Sequence, residues 1–137
     1  MSSDIRSQAE RRVDRRWEVV PDLWPFDCRD YSIFGFLADV RNYSAVRPIS
    51  EPRGIPRDAV DRDWWDDHHS CSWLSTDELL AFDYDQVIED RRGRGRETVE
   101  PGEGKMMTYR EFLGEGFFDD LEELKASGAE RIVFGFD

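Results

Sequence analysis

The sequence predicts an α+β domain: a small sheet built from an N-terminal hairpin and the C-terminal strand, with about three helices packed on it and a long irregular central loop. Three observations carry this. The closing segment ERIVFGFD alternates Ile132, Phe134 and Phe136 with Val133 and Gly135 and is apolar on both faces, which suits a strand in the middle of a sheet. Two capping boxes, Ser75-Thr-Asp-Glu78 and Thr108-Tyr-Arg-Glu111, each open an apolar stripe of helical period. Between the helical segments lies 42–73, with Pro48, Pro52 and Pro56 at four-residue spacing, both histidines and three of the five tryptophans.

Taken in order, 3–12 and 16–21 are predicted as antiparallel strands around a turn at Asp14 and Arg15, with a short helix as the competing reading of the first. Pro21 and Pro25 bound a loop, and Trp24 and Phe26 are expected to fold back onto the core. Asp27 is the expected N-cap of a helix over 28–41, whose Ile33, Phe34, Leu37 and Val40 share a face. Gly35 within it costs about 1 kcal/mol against alanine, so a close neighbour is expected there. The proline-spaced stretch cannot be helical, and 58–67 holds at most a helical turn carrying Trp64 and Trp65. Ser70–Leu74 reads as a short strand. The first box is expected to open a helix to about Ile88, with Leu79, Leu80, Asp83, Tyr84, Val87 and Ile88 inward. The charged, glycine-rich 89–107 reads as a flexible loop, and the second box opens a helix to about Ser127 with Gly128 just past its end.

The totals bound the class. A chain of 137 residues fits one domain, and 13% aromatic residues bury much area with few side chains. A net charge of −12 disfavours direct binding to nucleic acid or anionic membrane, and fits docking on a basic surface of another protein. Cys28 and Cys71 make no disulfide framework. With no apolar leader or membrane-length apolar window, a cytoplasmic location is expected. Association of like copies stays open.

Two constellations carry candidate chemistry. Arg53-Gly54, with Arg47 and Tyr43 upstream and Ser70, Ser72 and Trp73 downstream, could form a pocket for a small anionic, nucleotide-like ligand: a guanidinium fork, hydroxyl donors and a stacking face. The competing structural reading is that Arg53 pairs with Glu51 or Asp63. His69 and Cys71, with Asp4, are the residue types that hold a divalent metal, although strong zinc patterns have two ligand pairs. Ser70 or Ser72 with His69 as base fails, because neighbours on a strand point apart. Asp83 and Asp85 could hold Mg²⁺, but carboxylates are abundant. RRGRGR at 91–96 sits among acids and reads as a solvated loop. Glu111, Glu115, Asp119, Asp120, Glu122 and Glu123, with Asp61, Asp63, Asp66 and Asp67, could form an acidic face.

The segments DIR, CRDYSIFGFLADVRNYS, PISEPRGIP, HSCSWLSTDELLAFDYDQ and RIVFGFD resemble a family of small uncharacterised bacteriophage and bacterial proteins. Its members begin Met-x-x-Asp-Ile-His and carry a His-Ser-x-Ser-Trp-Leu segment. The likeness spans most of the chain outside 89–107 and implies a phage or phage-like accessory gene. This chain departs from the pattern at Arg6, where members have histidine, and at Cys71, where many have histidine too. The sequence therefore leads to a non-enzymatic binding protein of phage origin, which sequesters a small anion or blocks a host defence protein. A metal-dependent hydrolase acting on a phosphate-containing substrate, and an acidic interaction module without a pocket, are the alternatives.

Overall fold

The computed structural model describes residues 3–137. Its main sheet is four antiparallel strands in the order β2-β1-β6-β3, with β1 Ile5–Val13, β2 Arg16–Val19, β3 His69–Ser75 and β6 Arg131–Phe136. A second sheet pairs β4 Val87–Asp90 with β5 Lys105–Thr108. The helices are α1 Tyr31–Ala38, α2 Thr76–Ala81, α3 Tyr109–Leu113 and α4 Glu115–Ala126, plus a 3-10 helix Arg62–Asp67. The predicted α+β class and the sheet built from both termini therefore hold.

The N-terminal segment is strand rather than helix, and Asp14 and Arg15 turn it back with φ of 51° and 68°. Such a left-handed pair matches the twist of the strands it joins. β6 lies between β1 and β3 with all six residues buried. Its Ile132, Phe134 and Phe136 face a core shared with Ile5, Ala9 and Leu74, under the α-helices. Phe36 is the hub of that core: its ring meets Phe82, Tyr84, Tyr109 and Phe117 at centroid distances of 5.1, 5.9, 5.4 and 5.8 Å. The pairs with Phe82 and Phe117 are edge-to-face and the other two tilted, contacts that add to plain area burial.

The opposite face of the sheet is covered by the central loop, and polar groups make that cover. Glu10, fully enclosed, accepts from Arg131 Nε at 2.7 Å and from the Val60 amide at 2.9 Å. Arg131 Nη1 reaches Asp58 at 2.9 Å, and Asp58 also takes the Trp17 indole N–H at 2.9 Å. Trp65 is buried against Gly135, where an added Cβ would lie 2.9 Å from Cys71 Sγ and 3.4 Å from the Trp65 ring. The loop is thus a third layer, organised by its own ion pairs.

Several expectations are corrected. α1 is shorter than 28–41 and is capped by Asp30, whose carboxylate takes the Ser32 amide, rather than by Asp27; Asp39 ends it with φ 59°. Gly35 does have a close neighbour, the Asn42 side chain, 2.7 Å from where a Cβ would stand. Both capping boxes are present, but α2 stops at Ala81 because Phe82 turns extended; Leu80 is exposed, and Val87-Ile88 form a strand instead of a last helical turn. β-branched residues favour that outcome. The 89–107 stretch is the β4–β5 hairpin with a bonded connection: Glu89 accepts from the Gly102 and Gly104 amides, and Arg91 Nε donates to Val99 O at 2.9 Å. The helix after the second box is split at Gly114, whose φ 82°, ψ 170° no other residue type readily adopts. Phe26 is buried as expected, but Trp24 is 62% exposed.

Candidate functional site

The proline-spaced loop brings Arg53, Gly54, Ser72 and Trp73 together, as the sequence suggested. The Arg53 amide donates to Ser72 Oγ at 2.9 Å, and the Gly54 amide to Cys71 O at 2.9 Å. The Arg53 guanidinium lies 4.9 Å over the Trp73 ring. Its carboxylate partner is neither Glu51 nor Asp63 but Glu78, the capping-box acid of α2, at 2.8 and 2.5 Å. Nε donates to Ser50 Oγ, Nη1 to Trp73 O and Glu78, and Nη2 to Glu78. Four of the five guanidinium N–H groups are thereby used. The fork holds Glu78 below the usual carboxylate range and raises Arg53. Glu78 also accepts the Ser75 amide at 2.7 Å, so one carboxylate fixes both the loop and the start of α2.

The other predicted ligand residues stand elsewhere. Tyr43 OH takes Arg41 Nη1 and its backbone carbonyl takes Thr98 Oγ1; Arg47 O takes Tyr109 OH at 2.8 Å, which ties both to the hairpin side of the molecule. Ser70 sits at the β3 irregularity with φ 52°, its hydroxyl on His69 Nδ1 at 3.0 Å. Of the predicted metal ligands, Asp4 is held by Arg29 through two bonds of 2.8 and 2.9 Å, which lower its pKa. His69 Nε2 lies 3.3 Å from Asp137 O, and Cys71 Sγ faces Trp65 O, with burial pushing its thiol up. Among the described residues no three His, Cys, Asp or Glu side chains gather as a metal-binding group. Asp85 pairs with Arg110.

The surface feature that stands out lies along β1, two strands away from β3. A groove of about 440 Å³ runs along β1 over Ile5 to Gln8, with Trp24, Asp27 and Trp64 on its walls. Trp24 and Trp64 are 62% and 48% exposed. Trp64 stands on Trp65 edge-on at 4.6 Å and against His68 at 4.8 Å, so its mount is rigid while its outer part faces the groove. Trp24 follows Leu23 in the loop that then buries Phe26 against Phe117 at 4.7 Å. The two tryptophans thus come from opposite layers, one from the loop layer and one from the helix side. Gln8 gives Nε2 to Asp61 at 3.1 Å, while its enclosed Oε1 has no partner.

Asp27 lines this groove, Asp61 accepts from Gln8 in its floor, and Asp63, Asp66 and Asp67 share the 3-10 helix with Trp64. Asp27, Asp61, Asp63, Asp66 and Asp67 are all exposed, and among the described residues none of them is in an ion pair. Arg6, the cation at the groove, is paired with Asp137 at 3.1 Å. A second hollow of about 420 Å³ between Trp17 and Trp73 differs in kind: guanidinium groups already lie on both rings, Arg131 at 3.6 Å and Arg53 at 4.9 Å.

The sequence reading missed Trp24 and Trp64 as surface residues. A signal existed for one of them: of the adjacent Trp64-Trp65 pair in a single turn, only one ring can point inward. For Trp24 the apolar bias of tryptophan concealed its exposure.

No helix among the described residues is long and apolar enough to cross a membrane. No protein-family model, curated protein or solved structure matches the chain.

Proposed function

We propose that this chain is a non-catalytic binding protein that docks on a basic surface of another protein through the Trp24–Trp64 groove. The observation that carries the reading is the pair of half- to two-thirds-exposed tryptophans, 62% and 48%, framing one groove, with Asp27 on its wall and four more exposed aspartates on the 61–67 segment that carries Trp64. Tryptophan anchors concentrate binding energy at interfaces, and a field of one sign speeds encounter and rejects wrong partners. In the phage setting that the family resemblance implies, the partner is a host protein and docking blocks its basic working surface.

The small-anion form of the same idea has weaker support, because Glu78 already fills the Arg53 fork. A metal-dependent hydrolase centred on Asp4, His69 and Cys71 is weaker still, since each of these side chains has a different protein partner.

Site-resolved photo-crosslinking tests the docking face. A benzoylphenylalanine at position 24 or 64 is expected to give a discrete adduct in host extract. The same group at Val87 or Met106, also exposed but on the hairpin, is expected to give none. Equal adducts from all four positions would count against a dedicated face.

A further inference from the structure

Tryptophan, arginine and carboxylate recur together in this fold. Arg131 lies 3.6 Å over the Trp17 ring and is held there by Asp58 at 2.9 Å, which also takes the Trp17 indole N–H. Arg53 lies 4.9 Å over the Trp73 ring and is held by Glu78 at 2.8 Å. The combination has a physical basis: the negative ring face attracts the flat guanidinium, and the carboxylate accepts from its edge. Among the described residues, no arginine stands over Trp24 or Trp64.

The groove holds the other two parts of the set. Asp27 closes a turn on Trp24: its amide donates to Trp24 O at 3.3 Å, with Pro25 and Phe26, at φ 63°, between them. Such a turn brings its first and fourth residues side by side. It is pinned from beneath, because Ser7 Oγ donates to Pro25 O at 2.6 Å and the Phe26 amide to Asp120 at 2.8 Å. Trp64, on the same lining, is braced by Trp65 and His68. Two charged side chains line the groove. Arg6 is paired with Asp137 at 3.1 Å, whereas Asp27 is exposed and, among the described residues, in no ion pair. The charge left unbalanced is therefore one carboxylate beside two exposed rings.

We infer that the groove is a subsite for one arginine side chain of the partner protein, with the guanidinium stacked on the exposed tryptophans and its edge donating to the Asp27 carboxylate. The inference rests on the docking reading above and names the side chain which that reading leaves open. Arginine is selected over lysine, because a planar fork can stack and give two parallel bonds at once, whereas an ammonium is a more strongly hydrated point charge. The pinned turn and the braced Trp64 lower the cost of ordering the site on binding.

The test uses the full chain, ¹⁵N-labelled at tryptophan, and three blocked tripeptides, acetyl-Gly-Xaa-Gly-amide with arginine, lysine or citrulline at the centre. The five indole N–H signals are followed by NMR. The arginine peptide is expected to shift the Trp24 and Trp64 signals saturably and to leave Trp17 and Trp73 in place. The lysine peptide is expected to bind at least fivefold more weakly, and the citrulline peptide, flat but uncharged, not to saturate. Asp27→Asn is expected to weaken the arginine peptide at least tenfold. No saturable shift at Trp24 and Trp64, equal affinity for the lysine or citrulline peptide, or wild-type affinity in Asp27→Asn overturns the arginine subsite, yet leaves the docking reading standing if the positions 24 and 64 adducts form. Failure of those adducts removes the docking reading itself.

Discussion

Arg131 donates its Nε to Glu10 Oε1 at 2.7 Å across the β6–β1 ladder, with the carboxylate fully enclosed and the guanidinium nearly so. The same arginine lies 3.6 Å over the Trp17 ring and bonds Asp58, so one side chain joins two strands to the central loop. Burial pushes Asp58 up, but its bonds to Arg131 and Trp17 outweigh that and hold it below the usual range. Truncating one partner strands a buried charge. Glu10→Ala and Arg131→Ala are each expected to cost about 3–5 kcal/mol in urea unfolding, and Glu10→Met with Arg131→Met together far less than the sum.

The Arg53–Glu78 fork makes stability depend on pH. Glu78 titrates below its ordinary 4.5 in the folded chain, with the Arg53 hydrogen bonds as the main cause. Its contribution is therefore full above the unfolded value and disappears as pH falls through the lowered folded value. Glu78→Gln is expected to cost about 1–2 kcal/mol at neutral pH, from the lost charged bonds and capping box. The gap between wild type and variant should close in acid. Chemical denaturation at a series of pH values checks the sign; a gap that widens in acid would contradict it.

Gly114 separates α3 from α4 at φ 82°, ψ 170° with open space around it, so backbone strain alone sets the cost of a side chain there. Gly114→Ala is expected to lower stability by about 1–3 kcal/mol, measured by thermal or urea unfolding. A neutral result would mean that the helix pair can straighten.

Gly135 tests the loop layer. It lets Cys71, His68 and Trp65 press on β6: a Cβ added there would lie 2.9 Å from Cys71 Sγ and 3.0 Å from His68 Cβ. Gly135→Val is expected to cost about 1–3 kcal/mol in urea unfolding. Because Trp64 stands on Trp65, the same change should also weaken binding at the groove, unlike Gly114→Ala.

These residues show where the sequence was readable. Hairpin, central strand and both capping boxes rest on local rules, the period of two and the Ser/Thr-x-x-Glu pairing, and the chain obeys them. The misreadings arise where a local pattern serves a distant contact. Tyr84, Val87 and Ile88 have helical spacing, but Tyr84 OH bonds back to Leu79 O at 2.6 Å and the next residues pair with β5. Glu78 is legible as a cap, whereas its bond to Arg53, 25 residues away, depends on how the proline loop folds back. The groove was least legible of all, because it exists only where Trp24 and Trp64, far apart in the chain, meet over β1.

Trp24 and Trp64 as the docking face is the claim on which the rest depends. The most direct measurement is the dissociation constant of a basic probe, a fluorescein-labelled Lys-Val-Lys-Val-Lys-Val-Lys heptapeptide, for the Trp24→Ala/Trp64→Ala double variant, beside a Val87→Ala/Met106→Ala control. At least tenfold weaker binding is expected for the tryptophan variant and no change for the control, with urea midpoints showing both still folded. Equal affinities for the wild type and the tryptophan variant would contradict it.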